Sequence, residues 1–259
     1  MQLIALGTGS ALPTANNNAP AFLLASTQSA ILLDCGSGTL HRLACAQIPL
    51  HNIAAIFISH FHIDHCADLP AILFAMRHTP TPRTVDLHIY AGPGLLQHLN
   101  ALFDLYQPQL TTKDWQILPH CITNQTFQVD DLICRTKTLT HHPSSLGIRI
   151  QDPNLNTFAY LGDTDLCPNA IDLCRNADLA LVECAVTDQY TRDAHLAPHK
   201  IADLARQAQP HALLITHLFP ETSPERVAQE LQLHQCPTPF RFAYDGMGVD
   251  FIQPNTDPH

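Results

Sequence analysis

The sequence predicts an α/β layered domain with mixed β-sheets, on three observations. Strand-like apolar runs alternate with helix-period stretches, the pattern of helices stacked on sheets. Strand-like runs crowd between residues 115 and 161 with no helix between them, so the sheets are mixed rather than purely parallel. No linker, low-complexity tract or charge run divides the 259 residues, so 1–259 reads as one domain.

The elements follow in order. Residues 2–6 (QLIAL) read as a strand ending at Gly7-Thr8-Gly9, followed by a polar loop holding Pro13, Asn16, Asn17, Asn18 and Pro20. Residues 21–25 and 29–34 form a hairpin. Residues 38–47 form a helix with Leu40, Leu43 and Ala44 on one face. Residues 54–59 (AAIFIS) are a short buried strand. Residues 68–77 are a helix with Asp68 as its cap and Pro70 in the first turn. Further strands are expected at 85–90, 115–118, 126–129, 132–139, 146–150, 157–161, 178–183, 212–216 and 239–243. Further helices are expected at 93–105, 198–208 and 222–232.

Composition narrows the function classes. Hydrophobic residues make up 46% and charged residues 14%, which excludes a disordered chain. The net charge of −10 leaves no overall basic footprint for a nucleic-acid backbone. Nine cysteines, none in a C-x-x-C pair and most beside aliphatics, read as free thiols in a reducing compartment. The N-terminus has no basic leader region and no apolar run reaches about 20 residues, so the expectation is a soluble, cytoplasmic protein with no membrane partner. Histidine is the oddity: 17 of them, against 13 Lys and Arg together.

Chemistry concentrates directly after the strand at 54–59. The segment SHFHIDHC holds His60, His62, Asp64 and His65 within six residues, too many polar groups for an apolar core. In extended chain alternate residues point the same way, so His60 and His62 converge on one centre. Asp64 and His65, past the bend, can address a second. Imidazole with carboxylate suits zinc, manganese or iron better than calcium or magnesium.

His60-x-His62-x-Asp64-His65 after an apolar strand resembles the signature of the metallo-β-lactamase superfamily. The resemblance runs along nearly the whole chain. LGTGSALPT (6–14) is similar to the opening of its ribonuclease Z-like and phosphodiesterase branch, and LLDCGSGT (32–39) to the motif whose carboxylate, here Asp34, braces the metal-bearing loop. THHPSSLGIRI resembles the third-histidine motif, and its spacing to Gly147 selects His141, with neighbouring His142 the alternative. YLGDTD resembles the motif of the bridging carboxylate, Asp163, and LLITHLFP that of the last ligand, His217. Asp245 in AYDGM resembles a structural motif near the site. Asp68 stands where the family commonly has glycine.

The resemblance implies a four-layer αββα sandwich of two mixed sheets flanked by helices. It implies two divalent ions, zinc before manganese or iron, with His60, His62 and His141 on one, Asp64, His65 and His217 on the other, and Asp163 between. Two such ions share a hydroxide and clamp the substrate oxygens, so the implied activity is that of a dinuclear metal-dependent hydrolase, with Asp64 among the catalytic groups. LVECAVTDQYTRDAHLAPHK resembles the segment in which Glu183 orients His195 towards the phosphate or leaving oxygen, as general acid. That pair favours phosphodiesters over the lactones, sulfate esters or other esters the same site could cleave. In ribonuclease Z a long basic arm lies between the third histidine and the bridging carboxylate. Here only 22 residues separate 141 from 163. With the acidic charge, this favours a small, even cyclic, phosphodiester over tRNA, and counts against a nucleic-acid partner. Homodimers are common in the branch, which makes a homodimer the expectation.

Overall fold

Strand parity builds two sheets that share one core. The computed structural model describes residues 1–251; His259 lies outside them. Strands β1 (Gln2–Gly7), β2 (Ala21–Ala25) and β3 (Ala30–Leu33) form an antiparallel meander. Helix α1 (Thr39–Cys45) then carries the chain across to β4 (Ile53–Ile58), which lies parallel to β3. Two helices, α2 (Ile63–Cys66) and α3 (Leu69–Met76), lead to β5 (Leu87–Ala91), and α4 (Leu95–Tyr106) leads to β6 (Ile117–Cys121), both parallel additions.

The second sheet repeats the scheme. Strands β7 (Thr126–Val129), β8 (Leu132–Thr138), β9 (Leu146–Gln151) and β10 (Thr157–Tyr160) are antiparallel neighbours. Helix α5 (Pro168–Cys174), β11 (Leu179–Glu183), α6 (Pro198–Ala208), β12 (Leu213–Thr216), α7 (Pro224–Leu233) and β13 (Phe240–Phe242) extend it in parallel. Finally β14 (Gly248–Asp250) returns to pair with β1, so each sheet has seven strands.

Alternation along the strands divides the apolar residues between layers. Phe22 and Leu24, Ala55 and Phe57, Phe158 and Tyr160, Leu179 and Leu181 meet in the core between the sheets. Leu23, Ile56 and Ile58 face the opposite way, packing with Leu43, Leu69, Leu73 and Leu95 of α1, α3 and α4. Ala180, Val182 and Ile215 do the same with Leu173, Ile201, Leu204 and Val227 of α5, α6 and α7. The result is the expected four-layer sandwich.

Several expectations shift. Strands expected at 85–90 and 115–118 lie at 87–91 and 117–121; Trp115 stands before the second, buried beneath the Arg83 guanidinium, 5.4 Å from its ring centre. Helix α5 and strand β14 were not foreseen; seven and three residues are too short to show a period. Asp68 does not cap its own helix. Its Oδ2 accepts the Leu40 N–H at 2.9 Å, so it caps the first turn of α1 instead.

Candidate metal centre

The parity that fills the core also loads one edge of it. Continuing the inward positions of β4 past Phe57 gives Ser59, and those of β11 past Leu181 give Glu183, both buried between the sheets. Asp34, just after β3, turns inward in the left-handed region at φ 57, a conformation that aspartate tolerates better than most residues. Its fully buried carboxylate gathers the Ser59 N–H at 2.6 Å, the Ser59 hydroxyl at 2.8 Å, the Tyr160 hydroxyl at 2.5 Å and His65 Nδ1 at 2.7 Å. This fixes the His65 ring and leaves its Nε2 for the site.

His60 and His62 follow on extended chain, with His62 at φ −65 and ψ 145, before the turn of α2 brings in Asp64 and His65. His60 Nε2 lies 3.0 Å from His62 Nδ1, which lies 3.1 Å from His141 Nε2. His141 is held from behind by the Ala194 carbonyl, 2.9 Å from its Nδ1. Its neighbour His142 turns away onto the Ser144 hydroxyl at 2.7 Å. In a second group, His217 Nε2 is 3.3 Å from both His65 Nε2 and Asp64 Oδ2. Asp163 sits between. Its Oδ2 is 4.0 and 3.8 Å from His60 and His141, and its Oδ1 is 3.4 and 3.5 Å from His65 and His217.

Two glycines make room for this. Gly162 has φ 58, and a Cβ there would lie 2.6 Å from that of Ser59. A Cβ on Gly36 would lie 2.0 Å from the Asp64 carbonyl oxygen. His217 itself is held at φ 60 by its N–H, which donates to the Thr8 carbonyl at 3.0 Å. Asp245 in turn grips Thr8, accepting its N–H and its hydroxyl at 2.9 Å each, as well as the Asn18 N–H at 2.8 Å.

These donors fit divalent metal. Four ligand atoms around zinc at about 2.0–2.1 Å stand about 3.3 Å apart, and the two histidine groups match that spacing. Imidazole lone pairs converging this closely repel one another unless a cation lies between them. Asp163 Oδ1 is buried without any hydrogen-bond partner, an orphaned anion that a cation would satisfy. Among the described residues three groups bring ligand atoms close enough for an ion: His60, His62, His141 and Asp163; Asp64, His65 and His217; and Asp163, Glu183 and His195. The electrostatics agree. Burial would raise the Asp163 carboxyl, but His217 and His65 hold it well below the usual range. Burial, then His65, pushes the His60 imidazole down, keeping its lone pair free.

A third group lies alongside. Glu183 is buried, its oxygens accepting the N–H groups of Thr164 at 2.9 Å and Ala185 at 3.2 Å. His195 Nδ1 lies 2.9 Å from Glu183 Oε1, which leaves Nε2 for the site. Burial, then Asp163, raises the Glu183 carboxyl well above its usual value, while burial lowers His195. Lys200 holds this segment, donating to the His195 carbonyl at 3.1 Å and pairing with Asp165 at 2.6 Å. Sequence reasoning did not single out Ser59, Tyr160, Thr8 or the Ala194 carbonyl. For Ser59 and Tyr160 the inward parity of β4 and β10 was an available signal; for the other two none exists.

A cavity of about 290 Å³ opens beside His217, walled by Thr8, Leu12, Asn17 and Phe219. A larger one of about 930 Å³, lined by Ser29, Asp86, His88 and Tyr90 among others, lies at the opposite end of the strands and contains none of these groups.

The β-lactamase superfamily domain matches residues 29–218, which spans every one of the candidate ligand positions. The chain belongs to the metallo-β-lactamase superfamily. Among curated relatives, an uncharacterised protein of Mycobacterium leprae is 28% identical over 234 residues, covering 89% of this chain and 82% of that protein. A ribonuclease Z of Mycobacterium sp. (strain KMS) is 26% identical, covering 88% and 87%. Among solved structures, the metallo-β-lactamase fold protein YhfI of Bacillus subtilis has a TM-score of 0.84 at 22% identity, covering 96% of this chain and 98% of that one. The short form of human tRNase Z has a TM-score of 0.79 at 23% identity, covering 97% and 100%. A diphosphatase of the PhnP family has a TM-score of 0.74 at 18% identity, covering 97% and 98%. At these identities the structural likeness establishes the metallo-β-lactamase fold and no more. No described helix is long and apolar enough to cross a membrane.

Proposed function

We propose that this metallo-β-lactamase superfamily hydrolase is a phosphodiesterase for small phosphodiesters, cyclic ones among them. The observation that carries this reading is the His195–Glu183 pair beside the ligand clusters, at 2.9 Å. In this reading His60, His62 and His141 would hold one ion, Asp64, His65 and His217 the other, with Asp163 shared between them. Zinc fits the imidazole-rich set best. When bound, the ions supply Lewis acidity and bring the pKa of water down to about 7.

The chain's own groups do the rest. Asp64 and Asp163 would supply the carboxylate ligands. Glu183 fixes the imidazole ring by its Nδ1, so that His195 Nε2 hands its proton to the departing oxygen. The stretch from His141 to Asp163 is spent on β9, β10 and the turn between them, which leaves no length for a substrate-gripping arm. That and the net charge of −10 support a small substrate. A cytoplasmic homodimer completes the reading, and light scattering of the purified protein tests the dimer.

Metal-loaded protein should hydrolyse bis-p-nitrophenyl phosphate and at least one cyclic nucleotide. His195→Ala should lower kcat by about 10²–10⁴-fold with metal content unchanged. A loaded protein inert towards all of these overturns the reading. A second reading, RNA cleavage, is favoured by the ribonuclease Z match along most of the chain. Cleavage of a tRNA precursor at physiological salt would establish it.

A further inference from the structure

Arg192 stands out among the cations. Of the Lys and Arg side chains near the site, Lys200 is spent on Asp165 and the His195 carbonyl, and Arg42 on the Leu6 carbonyl and Asp245. Arg192 is exposed and makes no ion pair or hydrogen bond among the described residues. Its guanidinium lies over the ring of Phe219, 5.0 Å from the centroid. Phe219 in turn packs 6.0 Å from His195 and 6.0 Å from His217. The ring also walls the cavity beside His217, and its other contacts are Ala185, Val186 and Ala197, which fix its position. So an unpaired cation is held by a cation–π contact at the rim of the candidate metal centre, one ring away from a metal-ligand position and from the proton donor.

In a protein of net charge −10, a cation left without a partner beside a site of this kind is a place for a ligand anion. Guanidinium presents a planar fork that matches a phosphate or carboxylate, and stacking on Phe219 leaves that fork free. We propose that Arg192 and Phe219 form a subsite for a second, non-scissile phosphate of the substrate. This deepens, and rests on, the phosphodiesterase reading: the substrate is a small phosphodiester that also carries a phosphomonoester. Arg192 is a specificity-determining residue in this account. Phe219 positions it.

The comparison that decides uses two chromogenic esters differing by one phosphate: thymidine 5′-(p-nitrophenyl phosphate) and its 3′-phosphorylated form. Loaded protein should show a KM at least tenfold lower for the phosphorylated ester. Arg192→Met should erase that difference, and Arg192→Lys should restore part of it. Raising the salt should shrink the difference in the native protein and not in Arg192→Met. Equal KM values for the two esters, or a preference that survives Arg192→Met, overturn the proposal. If no ester is turned over, the phosphodiesterase reading fails first. Calorimetric binding of thymidine 3′,5′-bisphosphate against thymidine 5′-phosphate then still decides the subsite. A preference for the bisphosphate of about tenfold that is lost in Arg192→Met sustains it, and equal binding overturns it.

Discussion

Asp34 shows how much one side chain can organise. Four donors from three residues distant in sequence, Ser59, His65 and Tyr160, converge on a carboxylate with no exposure. Removing the carboxylate strands those donors in the core, at about 1–3 kcal/mol for each one left without a partner. It also frees the His65 ring. Asp34→Ala should therefore lower the melting temperature markedly and weaken metal affinity about 10–100-fold, measured by competition with a chelating dye. An affinity equal to that of the native protein would show that the brace does not act through His65. Gly162 is the complementary case, where the missing side chain matters. Gly162→Ala places a methyl 2.6 Å from the Ser59 Cβ at a positive φ, and thermal unfolding should register a loss of at least about 1–3 kcal/mol.

At the level of elements, the segment between β11 and α6 brings His195 to the site with little regular structure of its own. Only the turn Asp188–Tyr190 is helical within it. Asp188 ties it down. Its Oδ1 accepts the His199 N–H at 3.0 Å and faces His199 Nδ1 at 2.7 Å, and its Oδ2 faces His234 Nε2 at 2.5 Å. The Asp188 N–H donates to Glu230 of α7 at 2.9 Å. Burial alone would raise the Asp188 carboxyl, but the hydrogen bonds from His199 and His234 outweigh it and hold it below its usual value. A group with a depressed folded pKa stabilises above its unfolded pKa, about 4 for aspartate, and that contribution fades as the pH falls through the folded value. The native protein should thus melt higher than Asp188→Asn at pH 6, with the gap closing as the pH is taken to 3. A gap independent of pH would mean that the clamp acts by shape and not by charge.

For the whole molecule, the three apolar layers decide which groups meet solvent. Cys35, Cys66, Cys134, Cys174 and Cys184 are buried, whereas Cys45 and Cys121 are exposed. Burial pushes the thiols of Cys66, Cys134 and Cys174 up to about 12, so they stay protonated and unreactive. A thiol reagent should label Cys45 and Cys121 first in native protein, and all nine cysteines only after unfolding. Fast native labelling of Cys134 or Cys174 would contradict the packing between and outside the sheets.

Local pattern carried a good part of this protein. Apolar runs of the right length marked most of the strands, and His60, His62, Asp64 and His65 announced a candidate metal-binding turn because their spacing is set by a few consecutive bonds. Elements too short to repeat a period, α5 and β14, left no such trace. The positions of Asp34, His141, Asp163, Glu183, His195 and His217 could be read only through resemblance to a family, since nothing local distinguishes them from residues of a turn or a cap. Folding decides what they face. It brings His217 within 3.3 Å of His65 across 152 residues, sets Tyr160 on Asp34 across 126, turns His141 inward and His142 away, and sends Asp68 to cap a helix other than its own. It also leaves Arg192 on Phe219 without a partner. The sequence alone determined an α/β layered fold with mixed sheets and a histidine-rich turn after a buried strand, because both follow from local pattern along the chain. The meeting of the remaining groups was decided by the tertiary structure, because it depends on two sheets closing over one core and delivering their strand ends to a single edge.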